Sequence, residues 1–303
     1  MTLSELEKLR KSAKLLLVIN IAIVVLAAPF WPSPLSFAML IIGGILFCAV
    51  VNKKMKDYKS AFKNNIVKAS LSEIFSELYY APDQGVHVEE VENSALIQFQ
   101  DEFHSNDLIK ATYGKVKFKQ ADIVIMEKIH RIGKDGISTR EDTKTCFTGR
   151  FLVFDFLKQP KIPVRVMGKS FNPNGYDQGI IGAVKTRFTE SQNQVFMESE
   201  QFNKNFNVFC ADGQAAFYIL TPQIVEAITM LSNQYQGKIA LCFRDEKLYV
   251  AISSKKDSLE ANLFANRTIW KEQQLVLKDI KVITDFITLM NLENNALATA
   301  PNN

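Results

Sequence analysis

The stretch that decides the fold is LLLVINIAIVVLAAPFWPSPLSFAMLIIGGILFCAVV, residues 15–51. It holds two apolar runs without a charge, 15–30 and 35–51. As helices they would be about 24 to 26 Å long, slightly less than the ~30 Å hydrocarbon core of a bilayer. Neither run has a polar side that would face water. The stretch therefore predicts two transmembrane helices.

The segment between the two runs is rich in proline and carries a tryptophan. Pro29, Pro32 and Pro34 lack amide donors, so they end the first helix and fix the turn before the second. Trp31 suits the interfacial layer of a membrane, where amphipathic rings concentrate. This segment is predicted to be the tip of a membrane hairpin.

Basic residues flank the hairpin on both sides, whereas its tip has none. By the positive-inside rule, this asymmetry places both ends in the cytoplasm. A cleaved signal peptide is disfavoured by the second apolar run, whereas a re-entrant hairpin remains open and leaves the same cytoplasmic domain. The predicted membrane-interface residues are Arg10, Lys11, Lys14, Trp31, Lys53, Lys54, Lys56 and Lys59.

The segment after the second run, residues 52–81, is predicted to be an amphipathic juxtamembrane helix. Its apolar residues recur every three or four positions, and no glycine or proline interrupts it before Pro82. The lysines of its first turns attract anionic lipids or act only as a topology signal. Residues 1–14, which come before the first apolar run, are predicted to form a basic cytoplasmic tail.

Beyond Pro82 the apolar pattern changes to the alternation typical of strands, broken by turn signals. We predict a cytoplasmic α+β domain over 82–293, with two subdomains near 82–190 and 191–293, a mainly antiparallel sheet and packed helices, then a disordered tail at 294–303. Two helices are predicted, 222–236 and 280–292. The predicted strands lie within 95–99, 115–119, 122–130, 145–156, 162–167, 194–199, 206–210, 215–220, 239–243 and 248–252.

Charge and cysteine use exclude several classes of protein. Residues 1–70 hold ten Lys/Arg against three Asp/Glu, whereas the remainder holds 26 against 29. The basic surplus therefore lies outside the predicted folded domain, which argues against nucleic-acid binding. The four cysteines are far apart and form no CxxC pair, a pattern typical of a reducing compartment rather than of zinc or disulfide sites.

Motifs for catalysis, cofactors or metals are missing from the sequence. There is no Walker A loop, no GxSxG elbow, no HExxH and no paired histidine spacing. We therefore assign no catalytic, cofactor-binding or metal-ligating residue. If the protein is an enzyme, its site is assembled from scattered residues, for example Asp212, His130 or Cys146.

Four segments resemble one family: residues 93–123, 147–156, 198–222 and 238–252. They are similar to an uncharacterised bacterial domain-of-unknown-function family of two-pass membrane proteins, through the pattern F.V...D...A.Y.LTP followed by LY.AI. The resemblance implies a two-pass protein of the bacterial inner (plasma) membrane with a cytoplasmic α+β domain, and it transfers no catalytic residue. It also implies a small membrane-anchored helical protein as partner. The matching residues are Phe206, Val208, Asp212, Ala216, Tyr218, Leu220, Thr221 and Pro222.

The sequence favours a non-catalytic module that binds or scaffolds a partner beside the lipid bilayer. The alternatives are a membrane-tethered enzyme and a sensor of a small ligand. A deep polar pocket holding close ionisable groups would favour the enzyme, whereas a large exposed apolar patch would favour the binding module.

Overall fold

The computed structural model describes residues 1–132, 139–156, 158, 160, 162–171, 194–254, 259–264 and 267–295. For 130–132, 139–140, 294 and 295 it gives the backbone alone. The chain divides into two compact units. We name Met1–Ile74 with Leu259–Ile280 the hairpin unit, and Phe75–Ser258 with Lys281–Asn303 the sheet unit.

The hairpin unit begins with two long helical stretches, Leu3–Phe30 and Pro34–Ile74. Each is long and apolar enough to cross a membrane. The first is α1 (Leu3–Ala27) and a 3-10 turn; the second is α2 (Pro34–Leu46), α3 (Asn52–Phe62) and α4 (Lys68–Ile74), linked by two π-helical segments. A capping box at Thr2 and Glu5 starts α1, and Ser33 with Pro34 starts α2, as the preferences of helix N-termini require.

Polar and apolar contacts both hold the hairpin unit together. In the apolar part, the amide of Asn20 donates to the carbonyl oxygen of Gly43 at 2.7 Å. Further along, Tyr58 and Phe62 are buried and their rings lie 6.4 Å apart. Lys63, which is 9% exposed, binds Glu260 at 2.6 Å. Asn20, the single polar residue of the first apolar run, thus links α1 to α2 through a hydrogen bond.

The sheet unit is built on one antiparallel sheet, which has nine strands among the described residues. Its order is β1-β2-β3-β4-β9-β8-β5-β7-β6. The strands are β1 (Ser76–Ala81), β2 (Glu102–Tyr113), β3 (Val116–Ile132), β4 (Thr139–Asp155), β5 (Val164–Gly168), β6 (Gln194–Val195), β7 (Phe206–Phe209), β8 (Ile239–Arg244) and β9 (Lys247–Ser253).

The central strands are covered on both faces. Residues 151–154 of β4, 239–243 of β8 and 248–252 of β9 are each buried without interruption. Since successive side chains of a strand point to opposite faces, such runs require packing on both sides of the sheet. The β8–β9 turn, at Asp245 and Glu246, has positive φ at both residues, which suits the twist of a two-residue hairpin.

Helices of the sheet unit surround this sheet. They are α5 (Val88–Asn93), α6 (Glu200–Asn205), α7 (Gly213–Ile219), α8 (Pro222–Gln234), the last part of α9 (Ile269–Leu289) and α10 (Leu292–Asn295). Phe286 of α9 stacks on Phe154 of β4 with centroids 5.8 Å apart, and Tyr235 stacks on Phe286. These stacked rings pack the C-terminal part of α9 against the sheet.

The structure differs from the predicted boundaries in several places. The helix predicted over 52–81 ends at Ile74, because residues 76–81 pair with β2 as an edge strand. The predicted strand at 215–220 is α7, which Asp212 caps, and residues 95–99 form no strand. The two predicted subdomains share one sheet, since β5 lies between β8 and β7.

Two further differences concern the C-terminal part of the chain. The helix predicted over 280–292 begins at Ile269, and Leu259–Ile280 clusters with the hairpin unit rather than the sheet unit. Most of the predicted tail, 294–303, lies outside the described residues. The broader expectation is confirmed: an N-terminal region with two apolar helices precedes an α+β domain with an antiparallel sheet.

Candidate functional site

A groove with a volume of about 700 Å³ lies between α6, α7 and α8 in the described part of the sheet unit. We name it the α6–α8 groove. Its walls are mainly apolar, with a few polar groups among them. The lining residues that carry the argument are Met197, Phe202, Phe217, Leu220, Val225 and Met230.

Caps and side-chain hydrogen bonds fix the walls of the groove. Asn203 of α6 accepts from the backbone N–H of Met197 at 2.9 Å and donates to its carbonyl oxygen at 2.7 Å. Ser199 caps α6, and Thr221 caps α8 with Pro222 at its first position. These contacts hold a loop and two helix starts in defined positions without a ligand, so the groove is pre-formed.

Exposed apolar side chains continue beyond the groove. Phe217 and Met230 line it and are 44% and 48% exposed. Phe196 and Tyr218, which adjoin the lining residues Met197 and Phe217 in sequence, reach 68% and 62%. Lys158 lies over the ring of Tyr218 at 5.3 Å. Clustered exposed apolar groups of this kind mark surfaces that contact another molecule.

Helices α7 and α8 meet at a bend of 74°, and together they are apolar enough to pass as one membrane-crossing segment by length and composition. Their burial explains part of this apolar character. Ala216 and Ile219 of α7, and Ile224, Ile228 and Leu231 of α8, are buried in the unit. Val225 and Met230 lie outside that buried face and line the groove instead.

The charges at the groove are acidic. Glu198 and Glu226 line it and are exposed, and the described lining residues include no Lys or Arg. A carboxylate beside an apolar surface favours a positively charged group of the bound molecule. The groove therefore combines an apolar floor with an acidic rim.

The predicted membrane-interface residues fall into separate groups within the hairpin unit. Arg10, Lys11 and Lys14 line one cavity of about 350 Å³. Trp31 is exposed and its ring packs 5.0 Å from that of Phe37. Of the second lysine group, Lys53, Lys54 and Lys56 lie on α3, and Lys59 pairs with Glu260 at 3.3 Å.

The residues considered for a scattered catalytic site have other surroundings. Asp212 accepts from the backbone N–H of Gln214 at 2.9 Å and caps α7. Burial, with the nearby Glu127 carboxylate, raises the pKa of Cys146. The side chain of His130 lies outside those described. Asp212 therefore serves as a helix cap, and the thiol of Cys146 is held in its protonated form.

The other buried thiols of the sheet unit are also held protonated. Burial raises the pKa of Cys210, and it raises that of Cys242 to about 12. Because the thiolate is the nucleophilic form, a raised pKa makes these cysteines unreactive near neutral pH.

A smaller polar cavity of about 360 Å³ lies against β2 and β3 and is lined by His87, Glu90 and Lys119. Lys119 donates to both carboxylate oxygens of Glu90, at 2.9 and 2.7 Å. This close pairing satisfies the charge of Glu90 internally. The cavity therefore offers a ligand fewer unpaired charged groups than the α6–α8 groove does.

Sequence reasoning missed the groove-lining residues Met197, Phe217, Val225 and Met230. One signal in the sequence could have indicated them: α8 holds apolar residues outside the spacing of Ile224, Ile228 and Leu231, which form its buried face. The sequence pattern that carried the family resemblance does surround this site. Leu220 and Pro222 line the groove, and Tyr218 is exposed beside it.

Comparison with known proteins identifies a domain but no activity. A family model described as a protein of unknown function (DUF3137) matches residues 145–292. No curated protein matches the chain. Among solved structures, the chain is similar to the mycobacterial trehalose monomycolate transport factor A, TtfA, at 7% identity and a TM-score of 0.36, covering 76% of this chain and 96% of that one. Residues 145–292 thus match a domain family of unknown function, which is consistent with the predicted resemblance to an uncharacterised family.

Proposed function

We propose that the protein is a two-pass bacterial inner-membrane protein whose sheet unit binds a helical segment of a partner protein in the α6–α8 groove, without catalysis. The observation that carries this proposal is the pre-formed groove of about 700 Å³ with exposed Phe217 and Met230 in its wall. An amphipathic helix would place apolar side chains in such a groove.

The extent of the apolar surface favours a protein over a small molecule. A ligand enclosed by the groove would leave Phe196 and Tyr218 uncovered, although they are the most exposed apolar residues of this region. A helix with its flanking residues is wide enough to cover the groove and these neighbours together. Aromatic and methionine side chains are also enriched where proteins bind one another.

The acidic rim specifies the charge of the partner. Glu198 and Glu226 would pair with Lys or Arg beside the apolar face of the bound helix. The same carboxylates would repel an anionic membrane surface. A basic amphipathic helix from a small membrane-anchored protein fits both conditions.

Anchoring follows from the hairpin unit. Leu3–Phe30 and Pro34–Ile74 are compatible with membrane association by length and composition. The lysines and arginines at both ends of the apolar stretch favour cytoplasmic termini under the positive-inside rule. In this arrangement the sheet unit operates at the cytoplasmic surface, close to membrane-anchored partners.

The test is site-specific photocrosslinking in cells with the full-length protein. Benzoylphenylalanine replaces Phe217 in the groove or, as a matched control, Tyr79 on β1, which is similarly exposed at 47%. We expect the Phe217 position alone to crosslink one partner, through a peptide whose apolar residues recur every three or four positions and are flanked by basic residues. Charge reversal by Glu226→Lys should reduce the yield at least about tenfold, because like charges then meet.

The control for charge reversal is Glu89→Lys on α5, an exposed acid of the same unit that does not line the groove. It should leave the crosslink unchanged. The proposal is wrong if the captured species is a second copy of this chain or a lipid. It is equally wrong if Glu89→Lys and Glu226→Lys lower the yield alike.

A further inference from the structure

The hairpin unit contains a cavity of about 350 Å³ whose lining is strongly basic. It lies between the start of α1 and the residues that lead into α9. Its charged lining residues are four cations and one acid, together with Leu263 and a hydroxyl. The polar members are Glu7, Arg10, Lys11, Lys14, Arg267 and Thr268.

Internal pairs neutralise only part of this charge. Arg10 Nη2 donates to Glu7 Oε1 at 2.7 Å, and Arg267 Nε donates to Glu272 Oε1 at 2.6 Å. Among the residues that the structure describes, Lys11 and Lys14 take part in no ion pair, and both are exposed. Two positive charges therefore remain at the cavity for a ligand.

Arg10 lines the cavity and is itself largely buried. The residue is only 7% exposed; its Nη2 donates to Glu7 Oε1, and its guanidinium also interacts with the Tyr58 side chain. These contacts hold the guanidinium at the cavity that Lys11 and Lys14 also line. A guanidinium offers the donor geometry that phosphate oxygens accept.

The start of α9 adds further donors. Thr268 Oγ1 accepts from the backbone N–H of Lys271 at 3.4 Å, which leaves the hydroxyl proton of Thr268 to donate to a ligand. Helix α9 has 21 residues, and the N-terminus of a long helix favours an anion. Glu7 is the opposing charge at the cavity, and its Oε1 is already engaged by Arg10.

The position of the cavity along the chain indicates where the anion comes from. Lys14 immediately precedes the apolar run that begins at Leu15, so insertion of that run would place Lys14 at the level of lipid headgroups. Phe264 and Trp270, beside the lining residues in sequence, are 54% and 57% exposed. Exposed aromatic rings at this level are typical of a membrane interface.

We propose that this cavity binds the phosphate group of an anionic phospholipid in the cytoplasmic leaflet. The chemistry would be shared with free phosphate, but the aromatic rings and the adjacent apolar run favour a lipid. This inference rests on the proposed membrane insertion. It adds a defined headgroup site to the general attraction between lysines and the bilayer.

The test uses the full-length protein in nanodiscs of equal parts phosphatidylcholine and phosphatidylglycerol. Retained lipid is measured by native mass spectrometry after transfer to detergent. We expect preferential retention of phosphatidylglycerol, reduced about tenfold in the double variant Lys11→Gln/Lys14→Gln. The matched control, Lys53→Gln/Lys56→Gln, removes the same charge from the same unit outside the cavity and should change retention less than about twofold.

Equal losses in the two double variants would show unspecific electrostatics and overturn the inference. Displacement of the lipid by inorganic phosphate at millimolar concentration would overturn the assignment to a lipid. Alkaline carbonate extraction of membranes separates this inference from the proposed function. Extraction of the wild-type protein contradicts membrane anchoring, whereas retention in the membrane without lipid preference contradicts the headgroup site alone.

Discussion

The side-chain amide of Asn203 bonds both the backbone N–H and the carbonyl oxygen of Met197, at 2.9 and 2.7 Å. Asn203 lies on α6, and Met197 lies in the segment before it. The pair closes one wall of the α6–α8 groove. One side chain thus determines the position of a loop that the sheet does not hold.

Replacing Asn203 with Ala should loosen this wall. Both backbone groups of Met197 lose their partner, so we expect the free energy of unfolding to fall by about 1 to 2 kcal/mol. Hydrogen exchange checks the local effect, since the Met197 amide should exchange faster than in the wild type. Asn205→Ala, an exposed change on the same helix, is the control and should alter neither quantity.

Gly149 is required by close packing between β4 and β9. A Cβ atom built on this residue would overlap the carbonyl oxygen of Ile252 on the paired strand. Gly149→Ala should therefore force the strands apart and lower the free energy of unfolding by about 2 kcal/mol or more. Urea unfolding measures this loss.

Gly213→Ala is the control, because nothing lies within 4 Å of a Cβ built there. It should leave stability unchanged or slightly raised, since alanine is the better helix former. Equal stability of the two variants would contradict the packing argument for Gly149.

Local sequence signals predicted part of this fold well. The β8–β9 hairpin and the start of α8 follow from a two-residue polar turn and from Thr221 with Pro222, all contained in a few neighbouring residues. At Gly149 the close approach of β9 requires a residue without a side chain, which a glycine within a strand supplies. Such features depend on contacts that are short in sequence or on one special residue.

Other elements depended on distant partners. Residues 76–81 continue a helical pattern, but pairing with β2 makes them a strand. Residues 215–220 have strand-like composition, yet the cap at Asp212 starts a helix there. The α6–α8 groove combines pieces that are separate in sequence, so its lining could not be predicted from spacing.

The thiol of Cys242 should make stability depend on pH. Burial raises its pKa from the ordinary value of 9.0 to about 12. Deprotonation therefore favours the unfolded chain: the stabilisation is complete below pH 9 and is lost as the pH rises toward 12. Between pH 9 and 10 the wild type should lose about 1 kcal/mol more than Cys242→Ala.

Urea unfolding of both proteins across this range measures the difference. Other titrating groups act on wild type and variant alike, so they cancel in the comparison. Parallel pH curves for the two proteins would show that Cys242 titrates normally and is accessible to water.

The hydrogen bond of Asn20 allows a direct test of how the hairpin unit is held together. Its amide donates to the Gly43 carbonyl oxygen of α2 at 2.7 Å, and both groups lie in the apolar part of the hairpin. Because interhelical hydrogen bonds in membranes contribute about 1 kcal/mol, Asn20→Leu should weaken helix pairing by that amount without preventing insertion. Disulfide trapping between cysteines introduced at Val24 and Gly43 would report the pairing, since a Cβ built on Gly43 lies 3.5 Å from Val24 Cγ2; Val18→Leu, an exposed apolar change on α1, is the control. Unchanged trapping in Asn20→Leu would mean that side-chain packing alone holds the hairpin, and that the polar residue within the apolar run serves another contact.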